Sequence, residues 1–318
     1  MTAHPRIATV SLNSAVDQTV TVPDFTLDAV NRVETVRVDA GGKAVNVASF
    51  LAHFGHKVAV TGLLGRENEA LFARHFATAG IEDACLRLDG ATRTNVKIVD
   101  PVNDRVTDLN FPGVRATDAD LAAVTSKLDA LLARGLDWVA LCGSLPEGLD
   151  PDAYAGLVAM ARARNAAVAL DTSGMPLAEA LKARPEIIKP NIAELSALLQ
   201  RPLETQKDVV DAALELTRTG INLVVVSMGA QGAVMAMPDA AILAVPPKVA
   251  VASTVGAGDA MVAGLIHAAT LGLGLQETAR LATAFSLGAL GEIGPHLPPK
   301  SRIQELSRAV KVTVIDLH

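Results

Sequence analysis

The sequence predicts an α/β fold: a mostly parallel β-sheet with helices on both faces, carrying a small β-sheet lid. Three observations predict it. From residue 118 onward, short β-branched apolar runs such as 223–226 alternate with helix-length segments, the rhythm of parallel strands covered on both faces. Two earlier stretches, 19–38 and 92–111, alternate polar and apolar residues instead, as strands with one solvated face do. Polar, glycine-containing clusters follow the core strands, at the end where an open α/β sheet binds its ligands.

Composition narrows the function classes. The chain has 318 residues, half of them apolar, enough for a substantial core. The net charge is −6, from 28 basic and 34 acidic residues, and no basic stripe stands out, which argues against a nucleic-acid partner. Cys85 and Cys142 are the only cysteines and lack metal-type spacing, consistent with a reduced, cytoplasmic protein. The uncharged run 260–275 is shorter than the roughly 20 residues a membrane crossing needs and contains His267. It reads as a core helix, with no membrane partner implied.

In order, residues 7–12 read as a first core strand ended by Asn13-Ser14. Residues 19–22 and 31–38 read as exposed antiparallel strands around Pro23-Asp24, and Asp39-Ala40-Gly41-Gly42 leads into a helix beginning near Lys43. Lys43 and Asn46, three apart, share a face near the helix's positive end, where a cation and an amide could hold a phosphate and hydroxyls. An ordinary solvated lysine is the other reading. Residues 58–64 form the next strand and 67–79 a helix ended by Gly80.

Residues 92–99 and 105–111 form a hairpin through Pro101-Val102-Asn103-Asp104. Arg93, Asn95 and Lys97 are spaced by two and so point to one side, either into a site or into solvent. Two antiparallel inserts, at about 14–39 and 91–111, thus make the lid, and no Pro/Gly-rich linker divides residues 1–318 into separate domains.

The regular part follows: helix 118–133, strand 138–141, helix 151–164, strand 168–170, strand 186–189, helices 192–199 and 207–219, and strand 223–226. The clusters after the strands are Gly143-Ser144-Leu145-Pro146, Asp171-Thr172-Ser173-Gly174, Pro190-Asn191 and Ser227-Met228-Gly229-Ala230-Gln231-Gly232. Gly143-Ser144 lacks the nucleophile-elbow glycine spacing, which sets serine hydrolysis aside.

Thr254-Val255-Gly256-Ala257-Gly258-Asp259 stands between a strand-like stretch, 246–252, and the buried helix 260–275. Glycines allow close backbone approach, and the first turn of a helix leaves amide N–H groups free for an anion. A carboxylate beside a bound phosphate would be repelled unless it had chemistry to perform. Accepting a proton from an attacking hydroxyl is such chemistry. The same residues also read as a turn in which Asp259 merely caps the helix. A dinucleotide fingerprint fails because Met261 stands where its third glycine belongs, and the chain has no P-loop.

Together these motifs resemble the ribokinase-like (PfkB) carbohydrate kinases. Gly41-Gly42-Lys43-Ala44-Val45-Asn46-Val47-Ala48 is similar to that family's first signature, and Ser253 to Asp259 to its second. Gly143 to Pro146, Lys189-Pro190-Asn191-x-x-Glu194 and Ser227 to Gly232 also match in order. The segment Thr92-Arg93-Thr94-Asn95-Val96-Lys97, followed by Val106-Thr107-Asp108-Leu109-Asn110-Phe111, is most similar to the phosphosugar branch. Asn13-Ser14 departs from an Asn-Pro common in the family, and Ala44 from a second small glycine.

The resemblance implies a ribokinase-like three-layer sandwich and a sugar-phosphate kinase. Its reaction would be ATP-dependent transfer to the 6-hydroxyl of fructose 1-phosphate, with tagatose 6-phosphate or fructose 6-phosphate as alternative substrates. A non-catalytic sensor of sugar phosphates is the alternative from another class. Asp17 would hydrogen-bond sugar hydroxyls; Lys43, Arg93, Asn95 and Lys97 would hold the substrate's phosphate. Asn46 and Ser144 would also face the sugar, and Gly41-Gly42 would allow its close approach. Lys189, Asn191, Ser227, Met228, Gly229, Gly232 and Thr254 would line the ATP site, with Glu194 reaching Mg²⁺ through water. Gly256, Ala257 and Gly258 would form the anion hole, and Asp259 would be the base. The resemblance further implies a homodimer paired through the lid strands.

Overall fold

The computed structural model describes residues 6–249, 256–292 and 294–317. The first half of the chain forms β1 (Ile7–Ser11), β2 (Ala15–Thr21), β3 (Thr35–Gly41), α1 (Lys43–His53), β4 (Val58–Gly65), α2 (Glu69–Ala79), β5 (Glu82–Asp83) and β6 (Leu86–Leu88). It continues through β7 (Thr94–Asp100), β8 (Arg105–Leu109), α3 (Asp118–Leu132), β9 (Trp138–Cys142) and α4 (Ala153–Ala163). Then come β10 (Ala167–Asp171), α5 (Gly174–Leu181), β11 (Ile187–Ile188), α6 (Ile192–Leu199), α7 (Gln206–Thr217), β12 (Leu223–Ser227), β13 (Ala233–Met237) and β14 (Ala240–Val245). The described elements end with α8 (Ala257–Thr270), α9 (Leu275–Leu290), α10 (Lys300–Ala309) and β15 (Lys311–Ile315).

Strand alternation builds the three layers. In β12, Leu223 and Val225 enter one apolar cluster while Val224 and Val226 enter the other, on the opposite face. The first cluster takes in residues of α1, α2, α8, α9 and α10, and the second residues of α3 to α7. The main sheet runs β15-β14-β13-β12-β11-β10-β9-β1-β4-β5, with β6 also paired to β4. Pairing is parallel from β12 to β4 and antiparallel from β12 to β15. The carboxyl ends of β1, β9, β10, β11 and β12 therefore lie on one rim.

The lid is a separate four-stranded sheet, β3-β2-β7-β8. Its two hairpins are antiparallel internally, as expected, and join through a parallel pair, β2 with β7. Asp17, Asn95 and Asp39 occupy one row of that sheet, and Thr19, Lys97, Asp108 and Arg37 the next row of the same face.

Two expectations change. The apolar run 260–275 is not one helix, since α8 stops at Thr270, Gly272 follows in the left-handed region, and α9 starts anew at Leu275. The strand expected over 246–252 is not formed at Pro246 to Val249, and its remainder lies outside the described residues.

Helices α1 and α8 lie side by side with their N-termini toward the cleft. Their far ends meet through His56 Nε2 and His267 Nδ1, 2.8 Å apart, and burial depresses His267 to about 4, keeping the pair neutral near pH 7. Gly264 lets α8 seat on α9, because a Cβ there would stand 2.8 Å from Ala282 Cα and 3.0 Å from Phe285 Cγ. Gly264→Ala should therefore cost about 1–3 kcal/mol through overpacking. Denaturant unfolding checks this; an unchanged midpoint would contradict the close packing.

Candidate active site

A cleft of about 480 Å³ opens between the sheet rim and the lid. Of the residues singled out from the sequence, Asp17, Gly42, Lys43, Asn46, Arg93, Asn95, Lys97, Ser144, Glu194, Gly256 and Asp259 line it. Asn13, Gln18, Thr19, Asp108, Asn110, Thr172 and Ser173 line it as well. Sequence reasoning noted Thr172-Ser173 only as part of a polar cluster and Asp108 and Asn110 only as part of the lid stretch that resembles the phosphosugar branch; Gln18 and Thr19 carried no signal beyond alternation.

Asp259 sits in the first turn of α8, whose N-cap is Gly256 in the left-handed conformation (φ 74°) with no side-chain cap. Gly256 thus supplies no side-chain cap to the first amides of this helix, and such amides are donors suited to an anion. The Asp259 side chain does not cap its own helix. Its Oδ2 accepts a 2.8 Å hydrogen bond from Asn46 Nδ2 of α1, and the residue is 7 % exposed at the cleft floor. Burial pushes its carboxyl above the ordinary range, and Lys43 opposes this.

Asp17, on lid strand β2, faces the same space. Its carboxyl is raised to about 6, first by burial and then by the charge of Asp259, against hydrogen bonds from Gly42 and Asn95 and the charge of Arg93. Gly41 exists for this side chain: a Cβ at position 41 would lie 2.0 Å from Asp17 Oδ2. Gly41 thus makes room for Asp17 and does not itself line the cleft.

The expected phosphate-binding cations are partly committed to the protein itself. Lys43 Nζ lies 3.2 Å from both carboxylate oxygens of Asp171. Arg93 donates to the carbonyls of Ser14 (3.4 Å), Phe111 (3.1 Å) and Asn13 (3.1 Å), pinning the lid to the first strand's end. Lys97 pairs with Asp108 across the hairpin, so its charge is neutralised on the wall. Ser144 Oγ accepts from Asn13 Nδ2 at 3.1 Å.

Of the described residues expected to hold the nucleotide and its metal ion, Glu194 is the one that lines the cleft. Lys189 is buried, 3.4 Å from Asp171, and its Nζ would be 3.3 Å from a Cβ placed on Gly258. Asn191 and Glu194 form a reciprocal cap on α6, with Asn191 Oδ1 accepting from the Glu194 amide and Glu194 Oε2 from the Asn191 amide, each at 2.8 Å. Ser227 bridges to Asn191 at the adjacent strand end. Met228 belongs to the core, and Gly232 is required by the hairpin, where a Cβ would meet Ala244 O at 1.9 Å. Gly229 has open space beside it, Ala257 and Gly258 lie in the first turn of α8, and Thr254 lies outside the described residues.

These donors suit phosphates: an uncapped helix start with a buried ammonium beside it. Among the described residues no group of three or more His, Cys, Asp or Glu side chains forms a metal cage. A divalent ion that arrives with nucleotide phosphates and keeps several waters needs no such cage, and Glu194 is a carboxylate on the cleft wall that could face it.

An α/β sheet with phosphate donors on its rim and a polar lid above them is a site for small phosphorylated ligands. The comparisons carry this further. The model of the pfkB family of carbohydrate kinases matches residues 8–301. The 1-phosphofructokinase of Rhodobacter capsulatus is 69 % identical over 310 residues, covering 98 % of each chain. That of Escherichia coli K12 is 39 % identical over 288 residues, covering 90 % of this chain and 91 % of the relative. Among solved structures, phosphofructokinase-2 from Escherichia coli, in complex with substrates and products, superposes with a TM-score of 0.87 at 28 % identity, covering 95 % of this chain and 98 % of that one. A possible 1-phosphofructokinase from Thermotoga maritima does so with a TM-score of 0.89 at 26 % identity, covering 98 % and 99 %. The chain belongs to the pfkB family of carbohydrate kinases, and its fold is ribokinase-like.

The raised carboxyl of Asp17 has a consequence for the ligand-free protein. Because its folded pKa lies above the unfolded value near 4, its contribution to stability is complete below that value and is lost as pH rises through about 6. Asp17→Asn should remove that slope, so the variant gains on the wild type between pH 4 and 7 in denaturant unfolding. A difference that does not change with pH would contradict the assignment.

Proposed function

We propose that this protein is a 1-phosphofructokinase, transferring the γ-phosphoryl group of ATP to the 6-hydroxyl of fructose 1-phosphate. The observation that carries the chemistry is Asp259, a buried carboxylate at the mouth of an uncapped helix, facing the same cleft as Asp17 and Lys43. The substrate assignment rests on the 69 % identity to the Rhodobacter capsulatus 1-phosphofructokinase.

When bound, ATP with its magnesium ion supplies the phosphoryl group and shields its charge. In the proposed reaction Asp17 and Asn46 orient the sugar, while Lys43 and the uncommitted donors of Arg93 and Asn95 hold its phosphate. Asp259 accepts the proton of the attacking hydroxyl; its raised affinity for a proton suits a base working near neutral pH. The first amides of α8, with Lys189 alongside, stabilise charge on the transferred group, and Glu194 faces the metal. Most of the acceleration comes from positioning and charge stabilisation, since the transition state is loose.

We also propose a homodimer through the lid. Val36 and Val38 of β3 and Leu109 of β8 are 58 %, 47 % and 46 % exposed, and the strand register puts them on the face opposite Asp17 and Lys97. An apolar sheet face of this kind calls for a partner. Localisation in the cytoplasm is consistent with two free, buried cysteines. No helix among the described residues is long and apolar enough to cross a membrane.

ADP release measured with fructose 1-phosphate, fructose 6-phosphate, tagatose 6-phosphate and unphosphorylated fructose tests the substrate. The highest kcat/KM is expected for fructose 1-phosphate, and a higher value for any other sugar overturns the assignment. Asp259→Asn should fold normally and lose at least about 10³-fold in kcat; full activity would remove it as base. Sedimentation should give a dimer at micromolar concentration and a monomer for Val36→Asp/Val38→Asp, whereas a wild-type monomer contradicts the lid pairing.

A further inference from the structure

Asp171 ends β10 and lies beneath the cleft without forming part of its wall. Its backbone is fixed in mid-sheet, paired with Cys142 in register and accepting a 2.9 Å hydrogen bond from the Gly143 amide. Its side chain has no exposure at all, yet it faces two ammonium groups: Lys43 at 3.2 Å to each oxygen and Lys189 at 3.4 Å. These lysines come from unconnected places, one from the first residue of α1 and the other from the turn after β11. Lys43 lines the cleft, and Lys189 lies against Gly258 of the helix that carries the proposed base.

We propose that Asp171 is a positioning residue for phosphoryl transfer, clamping Lys43 and Lys189 on the two sides of the transferred group. The proposal rests on the kinase reading above and adds a residue that touches neither substrate. A buried carboxylate persists only where opposite charge compensates it. Here two ammonium groups do so, leaving a surplus positive charge directed at the cleft.

The electrostatics agree with the geometry. Burial alone would raise the Asp171 carboxyl, but Lys189 and Lys43 override it and hold the group below the ordinary range. Lys43 is in turn held well above the ordinary lysine range, chiefly by Asp171. The clamp limits both side chains to a narrow set of conformations before substrate arrives, and preorganised charge is what a loose phosphoryl transition state responds to. Without the carboxylate the two ammonium groups would repel each other and move apart.

Asp171→Asn keeps the shape and removes the charge. Expected are a loss of at least about 10²-fold in kcat, higher KM for both sugar phosphate and ATP, and a lower Lys43 pKa in side-chain NMR titration without substrate. A merely structural residue would lower stability and leave kcat and both KM values of the folded enzyme unchanged. Should Asp171→Asn fail to fold, Lys43→Met/Lys189→Met/Asp171→Asn removes all three charges together and should fold better than Lys43→Met/Lys189→Met, which strands the carboxylate. The proposal is overturned if Asp171→Asn retains kcat within threefold and the Lys43 pKa is unmoved, or if the triple variant is no more stable than the double. An inactive wild type would instead refute the kinase reading, while the NMR and stability measurements would still judge the clamp.

Discussion

A hydrogen bond between two helix N-termini organises the site: Asn46 of α1 to Asp259 of α8, 2.8 Å, almost wholly buried. A buried carboxylate without a partner would be costly, so this bond constrains where the two helices can begin. Each helix starts after a glycine with positive φ, 94° at Gly42 and 74° at Gly256, which turns the chain sharply from the rim into the layer behind it. The His56–His267 contact holds the opposite ends, and Gly264 sets the depth of α8 against α9. Helix packing far from the cleft thus decides the position of the proposed base.

Charge is arranged in layers beneath the lid. Asp17 and Asp259 both line the cleft; burial raises the proton affinity of each, helped by the charge of Asp259 at Asp17 and by that of Asp171 at Asp259. Lys43, Lys189 and Asp171 lie below as a compensated group with excess positive charge. A polyanionic ligand answers that excess, while a neutral sugar hydroxyl is what a pair of carboxyl groups can hydrogen-bond. The lid contributes geometry as much as charge: Arg93 spends three donors on backbone carbonyls, and Lys97 is matched by Asp108.

Much of this was legible in the sequence where one residue type serves one purpose. The parallel strands showed as continuous β-branched runs because both faces are buried, and the lid showed as alternation because one face is wet. Lys43, Asn46 and Asp259 stood out because glycines preceded them, and the structure brings all three to one cleft. The antiparallel strands β13 and β14 carried no comparable mark, since their alanine-rich sequences suit helix and sheet alike. The α8–α9 boundary was missed because apolar residues run on through Gly272 to Leu275. Asp171 was seen only as a polar strand end, for its role depends on two lysines distant in sequence. Gly41 and Gly232 were legible as special, but their reasons lie in Asp17 and Ala244, which sequence spacing does not reveal.

The account stands or falls on where Asp259 points when both substrates are present. A crystal structure of the protein with fructose 1-phosphate and a non-hydrolysable ATP analogue measures this directly. The account predicts the sugar's 6-hydroxyl within about 2.6–3.2 Å of an Asp259 oxygen, with the terminal phosphate against the first amides of α8. A 6-hydroxyl held by other groups, with Asp259 bonded only to Asn46, would contradict it.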